Sequence, residues 1–130
     1  MRTFEMNLKE IAKDNDDFRR VLYTTRYTQL VVMALPPQEE IGEEVHTVDQ
    51  ILYLIDGEGE AVVAGQKQSV EKGDVVIVPA GVRHNVRNTE NEPLKLFTIY
   101  APPEHAVGTV HHSKAEAEAA EAVLAATSIG

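Results

Sequence analysis

The chain has no cysteine. That excludes a disulfide framework, a thiolate metal site and a cysteine nucleophile. Basic residues are scarce: 12 Lys and Arg stand against 21 Asp and Glu, for a formal net charge of −9. Nucleic acid and anionic membranes both call for a basic footprint, so neither is expected as a partner. No apolar run approaches the ~20 residues that span a bilayer. Met1-Arg2-Thr3-Phe4-Glu5 has no signal-peptide core, and a cytoplasmic location is the expectation. No repeat of solenoid period is present. What remains is ordinary for one compact domain: 130 residues, 43% of them hydrophobic, are enough to bury a real core.

Three parts are expected: an N-terminal arm (1–19), a body of short strands (20–112), and a C-terminal helix with its tail (113–130). In the arm, Leu8 and Ile11 are the contacts of a short helix or irregular segment, stopped at Asp14-Asn15-Asp16-Asp17. Residues 21–35 form one or two strands closed by Pro36-Pro37. Residues 51–55 end at Asp56-Gly57, a hairpin signal. Further strands follow over 60–64, 68–70, 75–78, 84–87 and 94–100. Gly57, Gly65, Gly73 and Gly81 mark turns. Gly57-Glu58-Gly59-Glu60 is no nucleotide fingerprint, because no βαβ context follows it. Such spacing without long intervening helices predicts an all-β antiparallel sandwich or barrel. Ser113 and Glu116 form a capping-box pattern at the head of an alanine-rich helix over 113–126, with order ending near Thr127. Its large apolar residues, Val123 and Leu124, predict light docking on the barrel or on a second subunit.

Chemistry concentrates in two segments. In 73–88, four β-branched residues, Val75-Val76-Ile77-Val78, lie between Gly73-Asp74 and Pro79-Ala80-Gly81. His84 then opens the next strand, where an imidazole serves as metal ligand or general base. In the other segment, period-two alternation puts Glu44, His46 and Gln50 on one face with Leu52 and Leu54. Unpaired polar groups on a core-facing surface are costly. A metal ion held by Glu44, His46, Gln50 and His84 supplies a shared reason for them. Two imidazoles, a carboxylate and open positions suit Fe(II), Mn(II), Ni(II), Co(II) or Zn(II). Blander readings stand beside this one. His84 meets a backbone carbonyl, Gln50 only orients a water or substrate, and Glu44 belongs to the solvated acidic run 39–44. Asp49 faces outward unless a bulge shifts the register.

Residues 73–88 match the second motif of the cupin superfamily, G-x5-P-x-G-x2-H-x3-N, at Gly73, Pro79, Gly81, His84 and Asn88. The first motif, G-x5-H-x-H-x3/4-E-x6-G, is matched in part. Counting back from Gly57 puts Gln50 where the family has Glu, His46 on the second histidine and Glu44 on the first. Gln38 stands in place of the leading glycine. The chain thus resembles a small single-domain cupin of the mannose-6-phosphate isomerase-like kind over roughly residues 28–112. The resemblance implies a double-stranded β-helix, or jelly-roll, barrel with a short N-terminal arm and a C-terminal helix. It further implies one divalent transition metal.

Other candidates are softer. His105, His111 and His112 lie beyond the barrel strands. They are either exposed tail residues or, for His105 and His111, groups folded back over the barrel mouth. A substrate pocket of Leu52, Tyr100, His105 and His111 follows from the second option. Arg83 and Arg87 face away from His84, and Asn88 hydrogen-bonds a turn. The leading function is a small metalloenzyme, an isomerase or dioxygenase acting on a small oxygen-rich molecule, with Glu44 and His84 as catalytic residues. A phosphosugar is disfavoured, because Lys67 and Lys72 lie near turns away from the motif and no basic cluster is evident. The alternatives are a non-catalytic small-molecule-binding or sensor barrel and a structural protein whose inner polar groups only bond one another. A homodimer is the expected assembly.

Overall fold

The computed structural model describes residues 5–129. The reading of residues 1–4 lies outside them. Helix α1 (Leu8–Asp14) comes first. Asn7 caps it by accepting from the Glu10 amide at 3.1 Å, which satisfies an N–H that the first turn leaves free. The helix stops at Asn15, whose side chain closes a turn with Asp17 through two hydrogen bonds. The acidic stretch therefore acts as the stop signal read from sequence. Ala12 is fully buried, and Leu8 and Ile11 pack with it on Val32, Ile55, Tyr53 and Phe97.

Nine strands follow: β1 (Arg19–Thr24), β2 (Gln29–Leu35), β3 (Asp49–Asp56), β4 (Glu58–Val63), β5 (Gln66–Glu71), β6 (Val75–Val78), β7 (His84–Asn88), β8 (Leu94–Ala101) and β9 (Val110–His111). They form a six-stranded sheet in the order β6-β3-β8-β2-β1-β9 and a three-stranded sheet β5-β4-β7. Every pairing is antiparallel. The roll is the expected double-stranded β-helix. Residues 21–35 resolve into two strands. The turn between them lacks Gly and Pro and is held by Thr25 and Thr28, whose hydroxyls lie 2.6 Å apart. Strand β9 is not legible from the sequence. It is two residues long and exists through pairing with β1.

The sheets enclose a core that includes Val31, Met33, Leu52, Leu54, Val86 and Leu96. Strand β3 alternates as expected, with Gln50, Leu52 and Leu54 buried. Strand β2 is buried at nearly every position, because its outer face lies under α1. Lys95 crosses to the same side, where its Nζ donates to the Asn15 carbonyl and to Asp16 Oδ1. Gly59 serves packing rather than a turn. A Cβ there would lie 2.2 Å from the Arg87 carbonyl oxygen and 2.8 Å from Leu94 Cδ1, so a side chain would push β4 off β7.

Helix α2 (Lys114–Ile129) runs past the expected end at 126. The Ser113 hydroxyl accepts from the Glu116 amide at 3.1 Å, as a capping box requires. Glu116 reaches one residue further back than that pattern, to the His112 amide at 2.8 Å. Ala117 is buried, whereas Val123 and Leu124 stay 65% and 69% exposed, which fits light docking. Among the described residues no helix is long and apolar enough to cross a membrane.

Candidate metal centre

His84 opens β7 and is buried. Its Nδ1 lies 3.0 Å from the Val82 carbonyl, which only accepts. In a neutral imidazole that bond keeps the proton on Nδ1 and leaves Nε2 as a lone pair. Nε2 is buried and has no hydrogen-bond partner.

Glu44 and His46 reach this point by a route that corrects the sequence argument. Strand β3 begins at Asp49, so Glu44, His46 and Gln50 do not share one strand. Residues 39–46 instead form an irregular rail along β7. Glu44 and His84 exchange both backbone hydrogen bonds at 2.9 Å, the Ile41 amide donates to the Val86 carbonyl, and the Gly81 amide donates to the His46 carbonyl. The rail places the Glu44 carboxylate 3.4 Å from His46 Nε2. It also brings the two imidazoles together, with ring centroids 5.3 Å apart. The other nitrogen of His46, Nδ1, lies 3.3 Å from Glu104 Oε1. The His46 ring thus has a carboxylate at each nitrogen, and Glu104 stands at Nδ1 as the outer partners of metal-bound histidines do.

Gln50 enters from β3. Its Nε2 donates to Thr98 Oγ1 at 3.1 Å and Tyr100 Oη at 3.2 Å, which sets the amide's orientation. Its Oε1 is left buried and without a partner. Burial raises the Glu44 carboxyl above the ordinary range, against the lowering pull of His46, Arg19 and His84. Burial likewise pushes the Tyr100 phenol up, so it keeps its proton.

The expected pocket residues have different placements. Leu52 is wholly inside the apolar core. Tyr100 is buried beside His46, with ring centroids 5.7 Å apart. His105 folds back over the barrel, its ring 5.1 Å from Tyr100. Gln29 holds it there: Oε1 accepts from the Glu104 and His105 amides, and Nε2 donates to the His105 carbonyl at 2.7 Å. Burial lowers the His105 imidazole to about 3, so it is neutral at ordinary pH. His111 sits on β9, its Nδ1 3.3 Å from Arg19 Nη1. His112 is exposed and paired with Asp17 at 2.7 Å, which raises it above its usual value. Asp49 is exposed and accepts from the Ala80 amide. Arg83 and Arg87 face outward, paired with Glu43 and with Glu40 and Glu60. The Asn88 amide donates to the carbonyls of Leu35, Pro36 and Glu92, fastening a turn.

Among the described residues, the buried side-chain nitrogens and oxygens without a hydrogen-bond partner are Arg19 Nε, His46 Nε2, Gln50 Oε1, His84 Nε2 and His105 Nε2. Three of these atoms, His46 Nε2, Gln50 Oε1 and His84 Nε2, belong to expected ligands, and His46 Nε2 also has the Glu44 carboxylate 3.4 Å away. No three His, Cys, Asp or Glu side chains among the described residues already stand as a metal cage. Here Glu44 leans on His46, and the donor set includes the amide of Gln50. In donor type, two imidazole nitrogens, an amide oxygen and a carboxylate fit a divalent ion.

The sequence matches the cupin-domain family over residues 31–100. The chain belongs to the cupin family. This cupin is 43% identical over 125 residues to the uncharacterized protein YrkC of Bacillus subtilis, covering 91% of the chain and 67% of YrkC. The crystal structure of BH2720 from Bacillus halodurans superimposes with a TM-score of 0.89 at 41% identity, covering 91% of this chain and 95% of that one. Acireductone dioxygenase of Gallus gallus is 33% identical over 63 residues, 45% of this chain and 35% of that enzyme.

Sequence reading of this cupin missed Arg19, Gln29, Thr98 and Glu104. For Arg19 a signal existed. Val21 is an inward residue of β1, and period two puts Arg19 on the same face while Arg20 is exposed. Gln29 and Glu104 gave none, since their partners are about 75 residues away or across the barrel.

Proposed function

We propose that this cupin binds one divalent transition metal, Fe, Mn, Ni, Co or Zn, through Glu44, His46, Gln50 and His84. On this reading it acts as a small isomerase or dioxygenase on a small oxygen-rich molecule. The observation that carries the reading is the convergence of buried atoms without a hydrogen-bond partner, His46 Nε2, His84 Nε2 and Gln50 Oε1. Burying such groups unpaired costs roughly 1–3 kcal/mol each, so the arrangement wants an electrophile in its midst. A bound ion there supplies Lewis-acid polarisation or, if it is iron, reactivity towards O2. The partial similarity to acireductone dioxygenase favours the second.

The chain's own groups do the rest. Glu104 and the Val82 carbonyl each stand at the Nδ1 of one imidazole and orient the ring. Thr98 and Tyr100 fix the Gln50 amide. Glu44 and His84 are the proposed catalytic residues. Glu44 is the general base where it is not bound to the metal, and burial raises its carboxyl above the ordinary range. Tyr100 stays protonated and hydrogen-bonds the amide without titrating. We also propose a homodimer, for which the exposed Val75 and Ile77 of edge strand β6 offer an apolar strip. Sedimentation analysis tests it, and a monomer at all concentrations would remove it.

The test of the metal reading is elemental analysis of protein purified without chelator, beside a His46→Ala, His84→Ala double variant. About one transition-metal ion per chain is expected in the first and none in the second. No metal in either protein after reconstitution would leave a metal-free binding or sensor barrel.

A further inference from the structure

Two cationic side chains are buried among the described residues, Lys95 and Arg19, and they are treated differently. Lys95 meets a carboxylate and a backbone carbonyl. Arg19, 2% exposed, makes one ion pair among the described residues, a long single contact to Glu121 rather than a carboxylate across its fork. Its Nη1 donates to His111 Nδ1 at 3.3 Å, and its nearest acid, Glu121, is 3.6 Å away on a side chain 57% exposed. Its Cζ lies 5.3 Å from the Phe18 ring centre, and its Nε–H is buried without an acceptor. A buried guanidinium ordinarily takes a carboxylate across its fork. Left short of one, it is an expensive feature for a fold to carry unless something else completes it.

The surroundings say what completes it. Arg19 points inward from β1, and its charge acts on Glu44, Tyr100 and His105, so it shares the barrel interior with the candidate metal centre. His105 brings a second buried, partnerless nitrogen, Nε2, set against the Tyr100 ring. Neither group has a role in holding the metal. We propose that Arg19 and His105 form an anion-recognition site that receives a carboxylate of the substrate, which makes that substrate a small organic acid. One guanidinium and one neutral imidazole match a single negative charge. A phosphate dianion would find too little cation here, with Glu44, Glu104 and Glu121 close by. The proposal rests on the preceding reading that the barrel interior is a substrate site, but not on the metal itself.

The test uses lactate as the probe and 1,2-propanediol as its neutral counterpart, by calorimetry and thermal unfolding. Wild-type protein is measured both metal-loaded and after chelation, beside Arg19→Met and the His46→Ala, His84→Ala variant. Lactate should bind saturably and raise the unfolding midpoint of wild type in both forms, and propanediol should do neither. Arg19→Met should weaken lactate at least tenfold while its ligand-free midpoint holds or rises, since an incompletely paired buried charge has been removed. The double histidine variant should lose metal and keep lactate, which separates failure of the metal reading from failure of this one. Arg19→Lys, which keeps the charge and loses the fork, should bind lactate more weakly than wild type. Undiminished binding in Arg19→Met or Arg19→Lys, equal binding of propanediol, or no binding by wild type would overturn the proposal. So would a steep fall in the ligand-free midpoint of Arg19→Met, which would make Arg19 a structural residue.

Discussion

Two segments meet at the candidate metal centre and are built in different ways. Residues 73–88 are regular: a turn, strand β6, a second turn and strand β7, each spelled by its residues. Residues 39–48 contain no strand, only single bridges of Glu40 to Arg87 and Glu44 to His84. Yet both deliver candidate ligand side chains to within a few ångströms of one another. The difference teaches that a site can borrow its precision. The irregular rail holds position because its backbone is bonded, amide by amide, to the regular strand beside it. The tail around Glu104 and His105 repeats the device, borrowing from β2 through Gln29.

The largest effect is expected where that borrowing is cut. Gln29→Ala strands the Glu104 and His105 amides and the His105 carbonyl, and should cost about 2–4 kcal/mol for several buried polar groups left unpaired. Urea unfolding measures it. A loss below ~1 kcal/mol would show that the tail stays docked without Gln29.

Next is the candidate ligand that comes from a regular strand on the first-motif side. Gln50→Glu adds a carboxylate to the donor set and should tighten metal about tenfold, or roughly 1.4 kcal/mol. Competition with a chromophoric chelator reads this, and unchanged affinity would mean that Gln50 is not a ligand.

A smaller effect concerns pH. His105 is held neutral down to about 3, whereas an unfolded imidazole takes a proton near its model value of 6.5. Below that value the unfolded state binds a proton that the folded state refuses. This part of the stability is therefore present above pH 6.5, and it is lost progressively as pH falls towards 3. His105→Phe should flatten the slope of the unfolding midpoint between pH 7 and 5. Equal slopes would mean that His105 is solvated.

The smallest effect is expected at Gln38, which replaces the motif glycine but keeps a glycine-like backbone, with φ of 65°. Its strain, about 1 kcal/mol, is offset by its amide donating to the Thr89 and Glu90 carbonyls. Gln38→Gly relieves the strain, removes both bonds and loosens the unfolded chain, so a net change within ~0.5 kcal/mol is expected by thermal unfolding. A loss well beyond that would show that the amide, rather than the backbone shape, is what the rail needs.

Much of this was open to a reader of residues alone. Gly-Asp, Pro-Ala-Gly and Asp-Gly punctuate the chain, and β-branched runs fill the gaps, so strand positions and an antiparallel sandwich or barrel followed from local preferences, while the jelly roll followed from the resemblance to cupins. His84 and Gln50 were placed inward correctly, because each lies on a strand where period two applies. His46 and Glu44 were expected near His84 and lie beside it, but the geometry that led there was wrong. The alternation was carried back across 44–48, where no strand exists and side-chain direction follows non-local pairing.

The sequence by itself determined the punctuation, the periodicity and the motif of family membership, because turn conformations and strand alternation are decided within a few residues. Only the tertiary structure decided that the Glu104 carboxylate stands behind His46, that Gln29 draws His105 over the barrel, and that Arg19 lies buried with only a long contact to the exposed Glu121. Those outcomes depend on hydrogen bonds and burial between residues far apart in the chain, and no local preference encodes them.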